Sequence, residues 1–171
     1  MKQNSVRFWI TLLIALGLGV LLHFLYGWLP YSPVALISPV RESIWEHLKI
    51  LFFPLLLSGL FLGGKRGITP WLFSLLTVCG LMLLFGWLYN VVLQGESGFF
   101  NILLYIVLMV LGFYLPRILW SLTEWPGVGA ACAMLTVLLA ALMIGFTFAP
   151  PNNILFQDLS GGVRTFLTIP V

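Results

Sequence analysis

Within the stretch PVRESIWEHLKI, positions 39–50, stand Glu42, Ser43, Glu46, His47 and Lys49, side chains that can hold a metal, move a proton or pair with one another. His23 is the only other histidine of the chain. Carboxylates act as ligands or general bases, and imidazoles as ligands or proton carriers. A divalent metal wants imidazole nitrogen and carboxylate oxygen converging from different helices, which makes His23, Glu46 and His47 the candidate ligands. Glu42, Glu46 and His47 are the candidate catalytic groups. Ser43 and His47 have the i,i+4 spacing of a nucleophile and base, but no orienting acid or oxyanion loop accompanies them. The plain alternative is an ion-pair stripe. On a continuous helix Glu42, Glu46 and Lys49 share a face, with Glu46 and Lys49 at i,i+3, while His47 points elsewhere.

The elements that must position these groups are greasy. Of 171 residues 61% are hydrophobic, with fourteen Phe and seven Trp, and only 8% are Asp, Glu, Lys or Arg. A soluble domain is roughly half apolar, so lipid is the expected solvent. The net charge of +3 is spread over basic residues standing singly or in pairs, which excludes a nucleic-acid footprint. Five apolar segments predict an all-α, integral membrane bundle of five transmembrane helices in one domain, 1–171. The spans are expected at about 8–29, 44–63, 70–93, 99–120 and 126–148, with a C-terminal tail, 149–171. The first run is too long for the apolar region of a signal peptide and lacks a small-residue cleavage site, so it is expected to stay. Lys2, Arg7, Lys65, Arg66 and Arg117 on one face, against Arg41, Lys49 and Arg164 on the other, predict the plasma membrane with a cytoplasmic N-terminus and an extracytoplasmic C-terminus. Cys79 and Cys132 fall inside apolar runs and read as packing residues.

The second span carries the cluster. Its purely apolar part, Ile50 to Gly63, covers only about 21 Å, so the charged residues are expected to be drawn into the outer leaflet. Ser38 and Pro39 are expected to cap and begin its helix, and Pro54 to free the carbonyl of Ile50. Topology brings His23, Asn90, Asn101, Asn152 and Asp158 to the same leaflet, which predicts a polar pocket there, with the tail folded over it as a lid. The pocket fits a divalent metal acting on a lipid-like substrate, with the bilayer as the surrounding partner. A small ion- or proton-linked carrier subunit, and a structural membrane partner without catalysis, are the alternatives.

LLHFLYGW, followed by SPVRESIWEHLKILFFP and the tail FTFAPPNNILFQD, resembles a bacterial family of small uncharacterised multi-pass membrane proteins. That family has an HFLY-type end to its first span, a P-V-N-E-S-[IV]-W-E-H-[LM]-K-type motif and a PPH-x-x-LF-x-D-type ending. The resemblance covers nearly the whole chain and points to His23, Glu42, Ser43, Trp45, Glu46, His47, Lys49 and Asp158. Arg41 stands where the family motif has Asn, and Asn152 where the tail has His. If that His is a ligand in relatives, this chain lacks it. The resemblance implies a place for the site and no activity.

Overall fold

The computed structural model describes residues 5–63, 67–95 and 97–159, and among them it is all helical, with no strand. The long helices are α1 (Ser5–Trp28), α3 (Leu48–Leu62), α4 (Thr69–Trp87, continued by a π-turn, Leu88–Val92), α5 (Gly98–Ile118) and α7 (Val128–Phe148). Short helices α2 (Ser32–Ala35) and α6 (Trp120–Thr123) lie in the connections. Among the described residues four helices are long and apolar enough to cross a membrane: α1, α4 with its π-turn, α5 and α7. The fifth expected span is shorter. Helix α3 has 15 residues, about 22 Å at the helical rise and short of a roughly 30 Å hydrocarbon core.

The expected helix start at Ser38–Pro39 is overturned, because residues 39–47 form turns and α3 begins at Leu48. The reason lies in where the polar groups go. Ser38 does not cap a helix; its Oγ donates to the Leu22 carbonyl (2.6 Å) and accepts from the Tyr26 amide (3.0 Å), tying the segment to α1. The amide of Trp45 donates to the Leu155 carbonyl (3.0 Å), so part of the backbone in this segment pairs with the tail.

Helix α1 packs against α3 and α5, α3 against α4, and α4 against α5 and α7. Leu12, Leu48, Leu51, Leu55, Leu75, Val78, Met109 and Phe113 fill the centre. Small residues set the closest approaches. A β-carbon built on Gly19 would overlap the Tyr105 hydroxyl and lie 2.7 Å from the Ile50 carbonyl oxygen. That carbonyl lacks its helical donor because Pro54 has no N–H. Outward apolar side chains such as Leu13, Met134, Val137 and Leu138 are exposed along the long helices. So much bare apolar surface is compatible with lipid as the solvent.

At the N-terminal end, Arg7 donates to the Phe61 carbonyl (3.1 Å) and stacks on the Phe61 ring, and Arg117 lies over the Phe8 ring. Both cations thus share one end of the bundle. Lys2, Lys65, Arg66 and Arg164 lie outside the described residues, as does the tail beyond 159.

Candidate metal centre

At the distal end, opposite the N-terminus, the cluster divides into two groups with different surroundings. The first is buried. Lys49 Nζ donates to Glu46 Oε2, the Ala35 carbonyl and Thr147 Oγ1, each at 2.7 Å, with the Ser38 carbonyl at 3.1 Å. An ammonium has three protons, so the three short contacts account for them. Glu46 Oε2 also accepts from the Val40 amide (3.1 Å), and the Glu46 amide donates to Ser43 Oγ (3.2 Å). Thr147 has a single hydroxyl proton, which serves Glu46 Oε1 (3.0 Å) or the Met143 carbonyl (2.8 Å). Lys49 is fully buried and Glu46 nearly so. The hub joins the 35–47 segment to α3 and α7.

The second group faces a cavity of about 990 Å³. His47 Nε2 lies 3.3 Å from Glu42 Oε2, and His23 Nε2 lies 3.9 Å from Glu42 Oε1. The two imidazole rings are 5.2 Å apart. One ligand atom from each of His23, Glu42 and His47 falls within 4.8 Å of the others. His47 Nδ1 is 2.7 Å from the Ser43 carbonyl. A carbonyl only accepts, so Nδ1 carries the proton and Nε2 is turned toward Glu42. His23 Nδ1 is buried and finds no hydrogen-bond partner among the described residues, and its Nε2 is the nitrogen that faces Glu42. When His47 is protonated at Nε2 as well, its hydrogen bond holds the Glu42 carboxyl below the usual carboxylate range, against a smaller opposing effect of burial.

A His–carboxylate–His set of this kind could hold a metal ion. Bond lengths of about 2.0–2.2 Å to zinc put tetrahedral ligand atoms roughly 3.3–3.6 Å apart. The His47–Glu42 separation already has that value, and no pair among the three ligand atoms is more than 4.8 Å apart. The donors are two nitrogens and one oxygen, which suits Zn²⁺ and neighbouring transition metals better than Mg²⁺ or Ca²⁺. His47 would come with its Nδ1–H already oriented by a carbonyl, the second-shell support that metal-bound imidazoles usually have.

The other expected site residues are distributed as follows. Asn90 and Asn101 line the cavity, 3.5 Å apart, and Asn90 also donates to the Gly86 carbonyl (2.9 Å), where α4 widens into its π-turn. Asp158 lines the cavity too, held near Glu42 by the Leu159 amide, which donates to the Glu42 carbonyl (2.9 Å). The tail therefore does fold back over this end, with Phe156 packed on Trp45 and Phe146. Asn152 is exposed and forms no part of the cavity wall. Ser43 and His47 meet through the Ser43 carbonyl, while the Ser43 hydroxyl accepts from Glu46. Glu46 meets Lys49 and Glu42 meets both histidines. On an unbroken helix, Glu42 and His47 would have pointed apart; the turns at 39–47 bring them together. Gly19 escaped the sequence reading, and Ser38, read as a helix cap, instead ties this segment to α1. For Gly19 the only sequence cue is a small residue one turn from His23.

A family model, described as a family of unknown function (DUF6512), matches residues 1–164. No curated protein and no solved structure matches the chain.

Proposed function

We propose that this chain, which belongs to the family of unknown function DUF6512, binds a divalent transition metal at His23, Glu42 and His47 and acts there on a lipid-like substrate. The reading places this end of the bundle in the outer leaflet of the plasma membrane, with the N-terminus in the cytoplasm. The observation that carries it is the convergence of two imidazole Nε2 atoms and a carboxylate on the wall of one large cavity. A metal there supplies a Lewis acid at the polar end of the cavity. Without the ion, Glu42 and His47, 3.3 Å apart, are placed to share a proton; with it bound, both would serve as ligands. Asp158, Asn90 and Asn101 would orient the polar part of the substrate. Glu46 is a positioning residue in this scheme, because its carboxylate is engaged by Lys49 and it fixes the segment that bears Glu42 and His47.

A carrier would need a polar route toward the N-terminal end. The side chains packed there, among them Leu12, Leu55, Leu75 and Phe113, favour a closed site.

Metal analysis of the purified, metal-replete protein tests the proposal. The wild type is expected to retain about one divalent ion per chain, as a site with three side-chain ligands and one open position does. His23→Ala and Glu42→Gln are expected to lose it while keeping their helical circular dichroism. A wild-type protein that holds no divalent ion after metal loading would end this reading.

A further inference from the structure

The cavity has two unlike walls. Its polar groups, Glu42, His47, Asn90, Asn101 and Asp158, gather toward the distal end of the bundle. On the side between α1 and α5 its lining is apolar, formed by Val20 and Phe24 of α1 and Ile102 of α5. These three line the cavity and yet are 51%, 50% and 60% exposed. The seam between the two helices is therefore open at this level. It closes one turn further in, where Tyr105 donates to the Leu16 carbonyl (2.8 Å) and Gly19 lets α1 come up to the tyrosine. Val20 lies about 12 Å short of Trp28 along α1, and Ile102 about 6 Å inside the start of α5. In helices that cross a bilayer, an opening at that depth meets hydrocarbon and not water.

From this placement we infer that the cavity takes a bilayer lipid sideways, through the gap bounded by Val20, Phe24 and Ile102. The hydrocarbon chain lies in the gap and the polar head rests against His23, Glu42 and His47. The inference rests on the proposed site and names its substrate class. Its orientation is that of a lipid in a leaflet, with the polar group toward the surface and the chain toward the middle. The volume, about 990 Å³, is at the upper end of the roughly 300–1,000 Å³ of ligand pockets and leaves room for both parts. An apolar entrance leading to a few convergent polar groups is the usual make-up of a ligand site.

Photolabelling in liposomes tests it, with a phosphatidylcholine bearing a diazirine on one acyl chain. Wild-type protein is expected to be labelled on α1 near Val20 and on α5 near Ile102 well above the outward face of α7, around Val137, which reports ordinary boundary lipid. The double variant Val20→Trp, Ile102→Trp is expected to lose the excess, and Val20→Ala, Ile102→Ala to increase it. Ile14→Trp, exposed on α1 roughly 80–120° around the helix from Val20 and Phe24 and outside the cavity lining, is expected to change nothing. Equal labelling of the gap and α7, or an excess indifferent to both double variants, would overturn the inference. Metal content measured on the same samples separates the two ideas. A retained ion without gap labelling removes only the lipid route, and gap labelling without any ion removes only the metal.

Discussion

Lys49→Ala is expected to lower the unfolding free energy by about 3–5 kcal/mol, the usual cost of removing one partner from a buried ion pair. The truncation leaves the Glu46 carboxylate in a site closed to water and strips the Ala35 carbonyl and the Thr147 hydroxyl of their donor. The Coulombic attraction of such a pair does not by itself make it strongly stabilising, since both charges were desolvated to form it. The penalty comes from the orphaned charge. It follows that Lys49→Met combined with Glu46→Leu should recover most of the loss, which denaturant unfolding in detergent would show. A Lys49→Ala protein within about 1 kcal/mol of wild type would mean the hub is hydrated or otherwise compensated. The same variant should weaken metal binding roughly 10–100-fold, because the segment bearing Glu42 and His47 loses its anchor to α7.

Gly19→Ala should damage both the fold and the site, by a different route. The added methyl would meet the Tyr105 ring, whose Cζ would lie 2.8 Å away, and the Ile50 carbonyl. The tyrosine can turn, but the carbonyl belongs to the backbone of α3 and can yield only if α1 and α3 separate. Overpacking of this kind typically costs about 1–3 kcal/mol. Because His23 sits one turn beyond Gly19 while Glu42 and His47 precede α3, the separation pulls one ligand from the other two. Thermal unfolding is expected to shift down, and ion retention at limiting metal to fall. Adding Tyr105→Phe removes the hydroxyl overlap but not the contact with Ile50, so it should restore stability only in part. A Gly19→Ala protein unchanged in both measurements would show that α1 has slack against α3.

The long helices were legible because each is a continuous apolar run, which needs no partner to be recognised. The placement of His23 near the 39–50 segment was legible as well, from topology alone. What sequence could not show was the interruption at 39–47. A helical wheel assumes an unbroken helix, and on it Glu42 pairs with Glu46 and Lys49 while His47 faces away. The actual turns depend on Ser38 binding α1 and on Trp45 and Glu42 pairing with the tail, contacts made across 12 to more than 100 residues. Local pattern carries no trace of them. The buried Glu46–Lys49 pair was visible as an i,i+3 spacing, but its bond to Thr147 was not, since sequence places Thr147 only as one more polar residue in the same leaflet.

The bond from Lys49 to Thr147, with those from the tail to Trp45 and Glu42, also sets an order of assembly. Helix α7 leans mainly on α4 and otherwise meets the surroundings, so these distal contacts are its second anchor. They join the start of α3 and the segment before it to residues synthesised about a hundred positions later. During insertion, Glu46 and Lys49 can find each other early, but Thr147, Leu155 and Leu159 arrive only after every other helix has been threaded. The segment that bears both Glu42 and His47 therefore gains its distal anchors last, as the final helix docks.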